Sequence, residues 1–77
     1  MNRLNLEFIT TTRTNLGLTL QDMADALGFK NASTYMKYEK GDYSFKANHV
    51  PVIARMLKCT IEQLFFDKNF AKTANTA

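Results

Sequence analysis

The sequence predicts an all-α fold of five short helices. Apolar residues recur at helical spacing in segments 20–27 and 50–57, and capping residues stand at the ends of the predicted helices. The β-branched segment 8–12 would favour a strand in isolation, yet no second strand is predicted with which it could pair. Helix is therefore the prediction for every regular segment of the chain.

The first helix is predicted over residues 4–15. Its expected core contacts are Leu6, Ile9 and Leu16, and Arg13 lies on its final turn. Gly17 then supplies the turn before the next helix, because glycine adopts backbone conformations that other residues avoid.

The second helix, residues 20–27, is amphipathic. Four apolar side chains fall within one narrow arc of it: Leu20, Met23, Ala24 and Leu27. Thr19 is expected to cap the helix by accepting a backbone N–H, and Asp22 stands where its carboxylate can complete a capping box. Gly28 ends the helix, because the residue after the last turn often needs a positive φ.

The third helix, residues 32–40, is predicted to present one unusual face outward. Asn31 caps this helix, Gly41 ends it, and Tyr35 and Tyr38 project from its inner side as anchors to the core. The outward face comprises Ala32, Ser33, Met36 and Lys37. Small side chains there suit a helix whose backbone approaches a partner closely, and a DNA major groove is wide enough to admit a helix.

The remaining helices complete the core. A fourth helix opens at residue 47 or 48 and ends near residue 57, with Pro51 tolerated in its first turn. Its inward residues are Val50, Ile53, Ala54 and Leu57. Thr60 and Gln63 form a capping box that starts a short fifth helix. We expect one domain over residues 1–66 and a flexible C-terminal tail over residues 67–77.

Composition excludes several classes of protein. Seventy-seven residues, 45% of them hydrophobic, suffice for one small core. No apolar run approaches the ~18 residues of a membrane span, and no signal-peptide core is present, so we expect a cytoplasmic protein with no membrane partner. Since the chain has room for one domain, no small-molecule ligand is expected. The net charge is +3, and residues 29–47 contribute four lysines against two carboxylates.

Catalytic and metal chemistry are not expected. One cysteine and one histidine are too few for a structural zinc, and no nucleophile set, carboxylate pair or phosphate loop is found. We expect Cys59 to be a buried, inert thiol and His49 to be a surface or capping residue. The chain is therefore predicted to be no enzyme and to need no metal and no cofactor.

Residues 16–41, LGLTLQDMADALGFKNASTYMKYEKG, resemble the helix-turn-helix of the Cro/repressor (xenobiotic-response-element type) family of phage and bacterial transcriptional regulators. The resemblance covers roughly residues 4–66. It implies a compact lambda-repressor-like domain that binds double-stranded DNA with the 32–40 helix in the major groove. The turn between the two helices is one residue longer than the family pattern, with Lys30 as the inserted residue.

The resemblance also implies which residues contact DNA. Base reading falls on Ala32, Ser33 and Lys37, with Met36 beside them. Phosphate contacts are expected from residues around both helices: Thr19, Gln21, Lys30, Lys40, Tyr43, Ser44 and Lys46. Family members often carry Gln or Arg where Ala32 and Ser33 stand, and Gln where Leu20 stands. The alternative is that these side chains form an ordinary solvated face.

Two further expectations concern structure and assembly. Arg13 and Glu39 match a family pair that ties the first helix to the end of the third, and we expect a largely buried, bidentate ion pair. If the last helix continues, Phe66 and Phe70, four residues apart, form an apolar stripe for a homodimer that binds a palindromic operator. The alternative is that Phe65 and Phe66 close the core and Phe70 lies in solvent. The predicted function is a Cro-like repressor. The alternative is a protein-interaction module on the same fold, such as an antirepressor or antitoxin.

Overall fold

Four α-helices and two single 3₁₀ turns make up the part of the chain that the computed structural model describes, residues 3–65. The helices are α1 (Leu6–Asn15), α2 (Leu20–Leu27), α3 (Ala32–Lys40) and α4 (Val50–Leu57), and the 3₁₀ turns cover Ala47–His49 and Glu62–Leu64. The all-α prediction is confirmed for these residues, but the predicted count of five helices is wrong. The predicted tail, residues 67–77, lies outside the described residues.

Helix α1 forms despite its β-branched sequence. Asn5 caps it by accepting a hydrogen bond from the Phe8 N–H at 3.0 Å, so the helix begins two residues later than predicted. Ile9 is completely buried, as expected. The expected core position of Leu16 is wrong, because this side chain is 43% exposed. The helix ends at Asn15, and after the turn at Gly17 it is Leu18 that packs against the core.

Local signals define the ends of α2 and α3 as predicted. Thr19 and Asp22 exchange hydrogen bonds of 2.9 Å in a capping box, and Asn31 accepts from the Thr34 N–H at 3.0 Å. Both helices end at a glycine with positive φ, Gly28 at 82° and Gly41 at 95°. The turn between the helices is therefore residues 28–31.

The fifth predicted helix is reduced to one 3₁₀ turn. Thr60 and Gln63 do exchange the two hydrogen bonds of a capping box, at 2.8 and 3.2 Å. After Leu64, however, Phe65 becomes extended and forms an isolated antiparallel bridge with Leu4, and the Asn5 N–H donates to the Leu64 carbonyl at 2.7 Å. This pairing with the start of the chain stops the helix from continuing.

The core lies where all four helices meet. Helix α2 packs against α3 and α4, and α1 packs against α3, α4 and the last 3₁₀ turn. Each of the four helices and the last 3₁₀ turn contributes one of the largest fully buried side chains: Ile9, Met23, Tyr35, Ile53 and Leu64. Among residues 3–65, no helix has the length and apolarity needed to cross a membrane.

Candidate nucleic-acid interface

Helix α3 has a buried side and an exposed side. Tyr35 and Glu39, four residues apart, are buried, whereas Ser33 and Lys37, also four residues apart, are exposed. Lys40 extends the exposed side by about one turn. The caps at Asn31 and Gly41 define the two ends of the helix that carries this exposed side.

The four predicted base-reading residues divide into two pairs. Ser33 and Lys37 are exposed, while Ala32 and Met36 are half-buried along the edge of the same face. The outward display of all four residues was therefore overstated, because Ala32 and Met36 also contribute to the side of the helix that faces the protein. The two exposed side chains form the centre of the candidate surface.

The hydroxyl of Ser33 already has one partner. It donates to the Asn31 side-chain oxygen at 3.3 Å, and the same oxygen accepts from the Thr34 hydroxyl at 3.0 Å. A serine hydroxyl carries one proton and two lone pairs, so Ser33 remains able to accept a hydrogen bond. Exocyclic amino groups of adenine and cytosine offer such donors in the major groove.

Lys37 lies beside an aromatic side chain of the following loop. Its Nζ is 5.8 Å from the centre of the Tyr43 ring, within reach of a cation–π contact. Tyr43 in turn contacts the Tyr38 ring edge-on at 5.3 Å. The end of the lysine side chain is thus held near the C-terminal end of α3, where the backbone turns at Gly41.

The predicted phosphate contacts lie on two exposed segments. The first is the start of α2, where the Thr19 hydroxyl accepts from the Asp22 N–H and retains its own proton for donation. The Gln21 amide donates one proton to the Asp25 carboxylate at 2.8 Å, and its second amide proton can be donated to a phosphate. The second segment runs from the last residue of α3 into the following loop, and all of its predicted members are exposed: Lys40, Tyr43, Ser44 and Lys46. Lys30, in the turn, is also exposed.

Arg13 and Glu39 form the expected bidentate pair. The Arg13 guanidinium donates to both carboxylate oxygens of Glu39, at 2.9 and 3.3 Å, and a third N–H donates to the Leu18 carbonyl at 2.8 Å. The Tyr35 hydroxyl adds a 2.6 Å bond to Glu39. Burial raises the pKa of the Tyr35 hydroxyl far above its ordinary value, and its bond to Glu39 raises that pKa further. These bonds connect α1 to the buried side of α3.

An aromatic cluster that the sequence did not predict packs around Tyr38 of α3. The Phe29 ring stacks on Tyr38 at 4.7 Å, and Phe45 approaches Tyr38 at 5.3 Å. His49 completes the cluster and is 8% exposed. Of the two expected alternatives, a surface or a capping residue, the capping role is the one observed, because its ring accepts a hydrogen bond from the Lys46 N–H. Cys59 is half-buried against the core.

Phe66 and Phe70, the predicted dimer surface, lie outside the described residues. Within residues 3–65, no cluster of three or more His, Cys, Asp or Glu side chains is arranged to hold a metal ion.

Comparison with known families agrees with this geometry. A family model described as helix-turn-helix matches residues 9–64, well over half of the chain. Neither a curated protein nor a solved structure gives a significant match. The matched range contains α2, α3 and α4 in full, and α1 from residue 9 onward. The chain therefore belongs to the Cro/repressor (xenobiotic-response-element type) helix-turn-helix family of DNA-binding transcription regulators.

Proposed function

We propose that the chain is a sequence-specific transcriptional repressor of Cro-like type that inserts α3 into the major groove. The observation that carries this proposal is the exposure of Ser33 and Lys37, four residues apart, on a helix whose other side is buried. The fold leaves this face exposed to solvent, and its contacts within the protein are local: Ser33 bonds to Asn31, and Lys37 lies over the Tyr43 ring. Its small and cationic side chains suit the edges of bases.

Each exposed side chain has a distinct chemical role in this proposal. Lys37 donates to guanine O6 and N7, whereas Ser33 accepts from an amino group on a base, since its own proton is directed to Asn31. Ala32 and Met36, at the edge of the face, pack against thymine methyl groups. Thr19, Gln21 and the exposed lysines contact phosphates and set the register of the helix on the duplex.

Selection of binding sites from random duplexes tests the base-reading assignment. We expect the parent chain to select one motif, and Lys37→Ala to lose preference for guanine at one position by about 5- to 150-fold, the scale of one good side-chain contact to a base. Ser33→Ala should relax a different position. Arg55→Ala is the matched control, because Arg55 is an exposed cation on α4 for which no contact with DNA is proposed.

Two results would contradict the proposal. If Lys37→Ala and Ser33→Ala both select the parent motif with equal strength, the base-reading assignment is wrong. If the parent binds no duplex at low salt, DNA binding itself is rejected, and a protein-interaction module becomes the better hypothesis.

We also propose that the chain binds as a homodimer to a palindromic operator. The selected motif tests this directly, because a two-fold symmetric dimer requires two inverted half-sites about 34 Å apart. A single, asymmetric motif would reject the dimer.

Repression is tested by a reporter gene with the selected site placed over its promoter, where expression should fall in the presence of the parent and persist with Lys37→Ala.

A further inference from the structure

His49 touches three parts of the interface at once. Its ring lies edge-on to Phe29 in the turn at 5.3 Å, to Tyr38 on α3 at 5.7 Å and to Phe45 in the following loop at 6.0 Å. The residue is buried, with 8% of its surface exposed. One imidazole therefore packs between the proposed recognition helix and the loop that carries proposed phosphate contacts.

A hydrogen bond joins the same ring to the loop backbone. The Lys46 N–H donates to Nδ1 of His49 at 3.0 Å. A nitrogen that accepts a hydrogen bond cannot also carry a proton, so the geometry requires the neutral tautomer with its proton on Nε2. The neutral ring thus fixes the backbone at Lys46, at the end of the loop that contains Tyr43 and Ser44.

Protonation would remove this bond. Both ring nitrogens of a charged histidine are donors, so the Nδ1 proton would face the Lys46 N–H. The titratable or charged groups that face the ring are Tyr38 on α3 and Lys46 in the loop, and residues 47–54 of its own segment carry no charge. Burial lowers the pKa of His49, and the neighbouring positive charge of Lys46 lowers it further. The fold therefore favours the neutral ring.

We propose that His49 is a positioning residue for DNA binding: its neutral ring holds the 42–46 loop against Tyr38 of α3, and protonation releases the loop. This inference rests on the proposed function, since it explains how the phosphate-contacting loop is placed relative to the recognition helix. It assigns a role to a side chain that does not itself need to touch DNA.

The sign of the pH dependence distinguishes this role from a simple charge effect. An added positive charge near DNA strengthens binding, because it attracts phosphates. Loss of the loop position weakens binding instead. The folded state favours the neutral ring. The contribution of the neutral ring to the loop position is therefore fully present above the ordinary histidine pKa of about 6.5, and it is lost as pH falls through the lower pKa of the folded state. His49 is the single histidine of the chain, so it is the one side chain whose ordinary pKa lies in this range.

The experiment measures affinity for the selected duplex from about pH 7.5 down to the pH at which the His49 ring resonances of the parent have completed their titration, at fixed salt. We expect the parent to lose roughly five- to tenfold in affinity as pH falls, the scale of one lost hydrogen bond. His49→Gln keeps an acceptor for the Lys46 N–H, as glutamine does in a capping box, so it should bind like the parent at the higher pH and stay constant. His49→Phe keeps a ring but no acceptor, so it should bind more weakly than the parent at the higher pH and show no fall in affinity as pH is lowered.

Two spectroscopic measurements accompany the binding curves. The Lys46 amide resonance of the DNA-free parent should titrate together with the His49 ring, and circular dichroism should show a folded chain at every pH used. Unfolding that accompanies the loss of affinity would overturn the positioning role. So would a parent curve that stays flat or rises, an identical fall in His49→Gln, or parent-like binding by His49→Phe at the higher pH.

Failure of this inference can be told apart from failure of DNA binding. A parent that binds at about pH 7.5 but shows no fall rejects only the role of His49. A parent that binds no duplex at any pH rejects the proposed function, and the role of His49 with it, even if the Lys46 amide still titrates.

Discussion

Arg13 donates two hydrogen bonds to the carboxylate of Glu39, and this pair joins α1 to the last turn of α3 across 26 residues of sequence. The two side chains are only 14% and 6% exposed. Two largely buried charges in such a pair depend on each other, because water cannot fully replace either partner in the folded state. The position of the proposed recognition helix therefore depends on a residue outside the helix-turn-helix itself.

Removing Arg13 should destabilise the fold severely. Arg13→Ala leaves the Glu39 carboxylate buried without its cation, and we expect the free energy of unfolding to fall by about 3–5 kcal/mol. Urea denaturation followed by circular dichroism measures this change. Arg55→Ala, which removes an exposed arginine, is the control and should change stability by less than about 0.5 kcal/mol. A loss below about 1 kcal/mol in Arg13→Ala would show that the ion pair does not hold α3 against α1.

Replacing the whole polar group should be much less harmful than breaking it. The triple variant Arg13→Met, Tyr35→Phe and Glu39→Leu removes both charges and the hydroxyl that bonds to Glu39. Apolar replacement of a buried ion pair is often neutral or stabilising by about 1–4 kcal/mol, so this variant should be more stable than Arg13→Ala. Equal instability of the two variants would contradict the argument.

The Tyr35 hydroxyl should contribute measurably to stability. Tyr35→Phe removes its 2.6 Å bond to Glu39 with little change in volume, and we expect a loss of about 1.5–3 kcal/mol, typical of a hydrogen bond to a charged group. Tyr43→Phe makes the same chemical change on a ring that is 48% exposed and should cost less than about 0.5 kcal/mol. Thermal denaturation of the two variants compares them, and equal losses would refute the assignment.

Asn31 should separate the stability of α3 from its attraction to DNA. Asn31→Ala removes the acceptor for the Thr34 N–H, and we expect a loss of about 1 kcal/mol of stability. Asn31→Asp keeps the acceptor and adds a negative charge that favours the helix N-terminus, so its stability should equal or exceed that of the parent. The same charge should weaken DNA binding by repelling phosphates. Parent-like affinity in Asn31→Asp would place this end of α3 away from the duplex.

Salt dependence should report the proposed phosphate contacts. In Lys46→Ala, the slope of log affinity against log salt should flatten by about 0.9 relative to the parent, as expected for one lost phosphate contact. Lys40→Ala should behave likewise, and Arg55→Ala should retain the parent slope. Binding curves at several salt concentrations provide the measurement. An unchanged slope in Lys46→Ala would remove that residue from the interface.

The helix boundaries that were predicted correctly depend on short-range chemistry. Thr19 with Asp22, Asn31 with Thr34, and the glycine that ends α2 act over three or four residues, so their hydrogen bonds follow from spacing alone. The same reasoning identified Tyr35 as a buried anchor of α3. Helix α1 was predicted correctly in spite of its β-branched residues, because the chain offered no strand to pair with it.

Contacts between distant residues decided what the sequence did not indicate. Phe65 pairs with Leu4 rather than extending a fifth helix, and Leu18 takes the core position expected of Leu16. His49 is buried because Phe29 and the loop after α3 close around it. The sequence alone was enough to predict helices α1 to α4, the caps of α2 and α3, and the family. The burial of His49, the exposure of Leu16 and the loss of a fifth helix depend on packing partners far away along the chain, so they became apparent in the folded structure.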